Sequence, residues 1–391
     1  MAPRIEREEL VQRRERILAL AAERGGRDGA VFFDPRHIFY TTNFGFIPTE
    51  RPVALVLRRS GQAVLLVPSL EHEHAEQMAA VDEVRTYFEY PGVEHPMQHL
   101  KKLLGGGAFA ADGNGYGRRM GYVGPTLSDL IGRDVPLLAE DLRLMTQIKS
   151  PAEVALVRES CTWGHLAHSR LQRHSGPGAH EYEVAARASF EATQAMVDTL
   201  GRTYARESPF PLEAHAGFRG QVGANSAIPH ATTIHAVMRG GDTLVTGAAG
   251  RVWGYNSELE RTMFVGEPSA EQRRYFEAML AAQDAAFAAI RPGAPVAGVD
   301  KAAQAVFRDA GVADYVRHHS GHAIGMDGHE SPFFDVGDTT MIQPGMVFSV
   351  EPGIYIPGLA GFRHSDTVVV TERGYERLSQ YPRDLASLIC G

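Results

Sequence analysis

Two histidines, His322 and His329, stand seven residues apart in a glycine-rich turn (residues 319–332). Just after it Glu351 is embedded in the apolar run 346–351, which Pro352-Gly353 then breaks. Burying a lone carboxylate in an apolar strand costs several kcal/mol unless it is paired or ligated. The stretch therefore reads as a site rather than as a piece of core. Other polar residues are stranded in the same strand-rich half: His230 after Ile228-Pro229, Glu258 and Glu260 in the run 255–262, and Arg363, His364 and Asp366 at the start of the last long strand. On a strand Glu258 and Glu260 share a face while Leu259 points the other way. Two carboxylates on one face, with histidines at hand, do general acid–base work or bind a metal ion. Their mutual repulsion raises one pKa toward neutrality.

The elements that must position these groups follow from spacing and caps. Residues 7–24 form an amphipathic helix, with Leu10, Ile17, Leu18 and Leu20 among Arg and Glu. Residues 30–33 are a strand, and 53–57 with 63–67 a hairpin around Arg59-Ser60-Gly61. The run Glu71-His72-Glu73-His74-Ala75-Glu76 starts a solvated helix, because its acids and histidines lie on different faces. Residues 106–117 are strand plus turn. At Ser150-Pro151-Ala152-Glu153 a capping box with proline at the first helical position opens a helix to about Gln172. A second helix spans 180–200. Strands are expected at 243–246 and 261–265, helices from Ser269 and over 300–310, and strands over 346–356 and 362–371. Phe276, Met279, Leu280, Phe287 and Ile290 hold helical spacing and belong to the core.

A chain of 391 residues suits two domains. Hydrophobic content of 44% with 22% charged residues describes a soluble globular protein that can bury a large core. A net charge of -8 argues against nucleic acid or anionic membrane as the main partner. Two cysteines, Cys161 and Cys390, make neither a disulfide framework nor a zinc motif, which fits a reducing cytosol. The charged N-terminal stretch has no apolar core, so no signal peptide is expected, and no run is long enough to span a membrane. The protein is expected to be cytoplasmic.

Taken together, the motifs resemble the creatinase/aminopeptidase P/prolidase superfamily, the "pita-bread" hydrolases, over nearly the whole chain. The resemblance rests on residues 34–44, 145–153, 321–325 with 329–332, 343–353 and 361–366. It implies an α+β protein: a small N-terminal α/β domain of creatinase type (residues 1–144) and a pita-bread catalytic domain (145–391). The family's peptidases hold two metal ions with Asp, Asp, His, Glu and Glu. Carried over by position, the first Asp falls on Gly247, the second on Glu258, the His on His322, the first Glu on Glu351 and the last Glu on Ser365. Two ligands are gone, so a two-ion centre is not expected. The run Leu259-Glu260-Arg261-Thr262 matches the metal-free creatinase branch, as does Arg51-Pro52, whose arginine there reaches the neighbouring subunit's site.

The reading that follows is a hydrolase cleaving a non-peptide or modified C–N bond in a small, carboxylate-bearing molecule without a metal ion. Its catalytic set is His230 as general acid–base with Glu260 and Glu351. Arg51, Glu258, His322, His329 and Arg363 contact substrate or shape the pocket. The alternative reading is a Xaa-Pro peptidase with a reduced metal site, one Mn, Co or Zn ion at Glu258, His322 and Glu351. A C–S lyase and a non-catalytic binding protein on the same fold are further alternatives. The family resemblance implies a homodimer.

Overall fold

The computed structural model describes residues 3–201, 204 and 213–391, and the chain divides into two units, the first spanning Ile5–Thr146 and the second beginning at Gln147. The first unit opens with the helix Arg7–Glu23, which buries Leu10, Ile17 and Ala21 as its spacing requires. It also buries Arg13 and Arg14, whose guanidinium groups donate to the carbonyls of Tyr40 and Ala80. A five-stranded sheet follows in the order Glu83–Tyr87, Ala63–Pro68, Ala54–Arg58, Gly29–Phe32, Phe109–Ala111. Its centre is the expected antiparallel hairpin, and its outer pairings are parallel. The helix His72–Met78 buries only Ala75; Glu73 and Glu76 face solvent, while half-buried His74 bonds to Glu71 and packs on Phe44.

The second unit starts on the expected capping box. Ser150 accepts from the Glu153 backbone and Glu153 reaches back to the Ser150 backbone, opening α1 (Pro151–His174). Helix α2 (Glu181–Leu200) packs on it, and both lie against strands β1 (Ala214–Gly217) and, for α1, β3 (Gly247–Val252). Strand β2 (Thr243–Val245) precedes β3, and β4 (Leu259–Glu260) and β5 (Thr262–Val265) follow. Helix α3 (Ala270–Ala289) opens on a second capping box at Ser269 and pairs with α4 (Ala297–Asp309). The last strands are β6 (Gly321–Ala323), β7 (Glu330–Phe333), β8 (Val347–Val350), β9 (Gly353–Ile356), β10 (Ala360–Arg363), β11 (Ser365–Thr371) and β12 (Gly374–Arg377).

The main sheet runs β7-β6-β8-β11-β4-β3-β1, with β12 beside β11 and the short strand Tyr255–Asn256 beside β3. All its pairings are antiparallel, so each paired set of residues shares a face. His322 pairs with Ser349, Ser349 with Thr367, and Ser365 with Glu260. One face of the central strands thus carries a band of polar side chains. The other face is tied down by a buried pair, Arg261 and Asp366 at 2.9 Å. Arg261 also donates to the carbonyls of Glu260, Ser365, Tyr381 and Pro382.

One element differs from expectation. Residues 362–371 are not a single strand: β10 pairs with β9, β11 belongs to the main sheet, and the chain changes sheets at His364. Thr262 makes the corner, its hydroxyl accepting from the Arg363 N–H and donating to the Arg363 carbonyl. The corner is fixed by contacts with a residue distant in sequence, so spacing gives no sign of it. Among the described residues, no helix is long and apolar enough to cross a membrane.

Candidate functional site

His322 is fully buried on β6. Gly321 before it makes this placement steric: its φ is +151°, and a Cβ there would stand 2.1 Å from the Ser349 carbonyl oxygen of the neighbouring strand. The His322 Nδ1 lies 2.9 Å from the Ala323 carbonyl, to which it donates. That bond leaves Nε2 as the free position. Nε2 has no hydrogen-bond partner among the described residues. It stands 3.6 Å from Glu258 Oε2 and 3.4 Å from Glu351 Oε1. His329, exposed on the turn, stacks on His322 with ring centres 3.8 Å apart.

Each carboxylate is held differently. Glu258 lies just before β4; its backbone N–H and carbonyl are both bonded to the Thr367 hydroxyl. Its Oε1 accepts from Ser349 at 2.6 Å and Ser365 at 2.7 Å, which leaves Oε2 toward His322. Glu260 is forked onto the buried Arg363 guanidinium through Nε and, at 2.7 Å, Nη2. Arg363 Nη1 donates to the Tyr355 hydroxyl at 2.9 Å, and Tyr355 in turn meets His318 Nε2 at 2.8 Å. Glu351 follows β8, with one oxygen toward His322 and the other 4.0 Å from Arg363 Nε. Arg219 Nη2 touches the outer edge of Glu260 at 3.5 Å.

The electrostatics follow. Burial alone would raise Glu258, but His322 and the two serine hydroxyls hold it below the usual carboxylate range. Burial and the Glu258 charge push Glu351 up, and His322 and Arg363 bring it below its ordinary value. Burial pushes Glu260 up against the pull of Arg363, while Arg363 is held protonated. Two N–H donors on two carboxylate oxygens are the geometry of an ionised pair, so Glu260 carries its charge. Burial lowers His322, yet Glu258 and Glu351 raise it to about 11. A cation is therefore wanted at Nε2, whether a proton or a metal ion. Burial and His322 depress His329, so its imidazole is neutral.

A divalent ion fits this cluster. The ligating atoms of Glu258, His322 and His329 lie within 4.8 Å of one another, as do those of Glu258, Glu260 and Glu351. Ligands about 2.1 Å from a tetrahedral ion stand about 3.4 Å apart, and His322 Nε2 meets the two carboxylates at 3.4 and 3.6 Å. A second ion does not fit. Gly247 offers no donor, the Ser365 hydroxyl is spent on Glu258, and both Glu260 oxygens are held by Arg363. One divalent ion with Arg363 neutralises the charges of Glu258, Glu260 and Glu351; two would leave the site strongly positive.

Of the residues expected from sequence, Glu258, Glu260, His322, His329, Glu351 and Arg363 come together. His230 is exposed on the turn after the short helix Gly223–Ala227, and no hydrogen bond or ion pair links it to the cluster among the described residues. Arg51 lies in the first unit, where Glu89 and Glu50 take its guanidinium. Sequence reasoning missed Ser349, Tyr355, His318 and Arg219. Ser349 carried a signal, a polar residue in the apolar run 346–351; the others did not.

Residues 155–372 match the model of metallopeptidase family M24, and residues 13–116 that of the creatinase/prolidase N-terminal domain. A probable dipeptidase, PepE, of Mycobacterium tuberculosis is 31% identical over 382 residues, 96% of each chain. A Xaa-Pro dipeptidase of Pyrococcus furiosus is 34% identical over 247 residues, 63% of this chain and 66% of its own. The crystal structure of dipeptidase PepE from Mycobacterium ulcerans covers 99% of both chains with 30% identity and a TM-score of 0.79. These findings correct two expectations. The similar proteins are named as peptidases, so the reading as a creatinase-like hydrolase of a non-peptide C–N bond does not stand. Nor does metal-independent chemistry, because the match is to a metallopeptidase family and the carboxylates and His322 form a cation site. Gly247 and Ser365 remove donors for a second ion and leave Glu258, His322 and Glu351 in place for one. The α+β architecture stands, and the chain belongs to metallopeptidase family M24.

Proposed function

We propose that the chain is a dipeptidase, cleaving the peptide bond of short substrates that include Xaa-Pro dipeptides, with one divalent ion held by Glu258, His322 and Glu351. The observation that carries this is the His322 imidazole, oriented by the Ala323 carbonyl so that an unpartnered, buried Nε2 faces two carboxylates. The names of the similar proteins support the substrate class. A divalent ion bound there supplies Lewis-acid polarisation of the peptide carbonyl and lowers the pKa of a water.

The remaining work falls to the chain's own side chains. Glu351 would hold the ion through the oxygen that faces His322, and its second oxygen accepts the proton of the attacking water and passes it to the leaving nitrogen. Ser349 and Ser365 hold Glu258 so that one oxygen stays on the site. Arg363 fixes Glu260 and offsets the carboxylate charge. Neutral His329, stacked over His322, is an N–H donor for the developing oxyanion. Both cysteines are free and buried, which suits a reducing compartment, and we place the enzyme in the cytoplasm. The resemblance also implies a homodimer, which sedimentation equilibrium reads.

The test is hydrolysis of an Xaa-Pro and Xaa-Ala dipeptide panel, followed by chromatography, for wild type and His322→Ala. Losing an outer-shell partner of a metal ligand costs 10–100-fold, so losing the ligand itself should cost at least about a hundredfold. Unaltered turnover in His322→Ala sinks the reading.

A further inference from the structure

We infer that the space beside Gly247 is the subsite for the substrate's free C-terminal carboxylate, and that Arg219 is the cation that receives it; this rests on the dipeptidase reading and names its specificity residue.

A dipeptide brings its own carboxylate to a site already holding those of Glu258, Glu260 and Glu351. Some cation must face it. Arg363 is buried and committed, with Nε and Nη2 on Glu260 and Nη1 on Tyr355. Arg261 is committed to Asp366 and four carbonyls on the opposite face. Lys149 is buried against Glu330. Arg219 differs from all three. Its side chain is 52% exposed, and among the described residues it meets Glu260 Oε1 and Gln221 Oε1, each at 3.5 Å.

The backbone is built to put it there. Arg219 sits in the turn after β1 with φ +51°, a left-handed conformation that is costly for a long side chain and persists where the surroundings impose it. The next residue, Gly220, has φ +76°, and a Cβ on it would stand 2.1 Å from the Thr232 carbonyl oxygen. Buried Glu181 straps this turn: it accepts from the Gly220 N–H, from the Ala236 N–H at 3.1 Å and from the Thr233 hydroxyl at 3.1 Å.

The space in front of it is open. Gly247 on β3 pairs with Gly217 on β1, two residues before Arg219. A Cβ built on Gly247 meets a single atom within 4 Å, Glu260 Oε1 at 3.6 Å. The missing side chain and the Arg219 guanidinium therefore border the same carboxylate oxygen. A substrate carboxylate seated there lies against Arg219 and over glycine. The peptide bond one residue back is then directed to the His322 cluster.

The experiment compares L-alanyl-L-proline with its C-terminal amide, using metal-loaded protein. Wild type should favour the free acid at least tenfold in kcat/KM. In Arg219→Gln the acid-to-amide ratio should fall to near one through a KM for the acid raised 10- to 100-fold, and Arg219→Lys should recover part of it. Gly247→Val, which fills the space without adding a metal donor, should likewise raise KM for the acid. Thermal shifts with proline and prolinamide give a second readout that needs no turnover: proline should stabilise wild type but not Arg219→Gln. Equal loss on acid and amide, or an unchanged ratio, overturns the proposal. If no dipeptide is cleaved, the dipeptidase reading fails. The subsite still stands if proline stabilises wild type through Arg219, and falls if it does not.

Discussion

Glu260 is buried and would be a liability without Arg363, because a buried charge whose partner is removed stays desolvated and uncompensated. Glu260→Gln should destabilise the fold by about 3–5 kcal/mol, read from urea unfolding, since it leaves the Arg363 guanidinium short of its counter-ion. A loss under about 1 kcal/mol would mean that the fork is not an ionised pair. Metal uptake at His322 should release protons and weaken as pH falls, because the proton that Glu258 and Glu351 favour on Nε2 must leave first. Calorimetric titrations in buffers of differing ionisation enthalpy measure this, and uptake without proton release would contradict it. Much of this cluster was legible from residue type alone, as acids and histidines in apolar runs mark sites. The role of each was not. Nothing in the sequence places Arg363 on Glu260, and the neighbours of His230 in space cannot be seen from Ile228-Pro229.

At the scale of elements, the run Leu259-Glu260-Arg261-Thr262 works as a corner brace. Glu260 takes the Arg363 side chain, Arg261 takes Asp366, and Thr262 takes the Arg363 backbone. Matching those four residues to creatinase gave the right fold and the wrong chemistry, since their contacts support either. The capping boxes at Ser150 and Ser269 were legible because they are local and depend on spacing alone. The sheet change at His364 was not, because its cause lies a hundred residues upstream at Thr262. Gly321→Ala tests the close approach of β6 to β8. A Cβ there meets the Ser349 carbonyl, so the strands must part or the backbone must shift. We expect about 2–4 kcal/mol of destabilisation together with weaker metal binding, whereas a neutral variant would show that the strands are not so close.

Over the whole molecule, stability should fall in mild acid. His168 and His364 are fully buried, and burial, with Arg261 nearby, depresses both well below the ordinary histidine value. The unfolded chain takes up protons below about pH 6.5 that the folded chain refuses. The unfolding free energy should therefore drop as pH falls from about 6.5, by up to about 1.4 kcal/mol per pH unit for each histidine. His364→Phe, which packs against Phe276 as the imidazole does, should flatten that slope. Dipeptide hydrolysis and a single ion at Glu258, His322 and Glu351 are tested together. The measurement that tests them most directly is elemental analysis of protein dialysed after loading with Mn, Co or Zn, paired with alanyl-proline hydrolysis before and after chelation. Close to one equivalent per chain is expected, with cleavage that chelation abolishes and metal restores. Hydrolysis that survives complete metal removal, or metal-loaded protein that leaves every dipeptide intact, would contradict the one-ion dipeptidase reading.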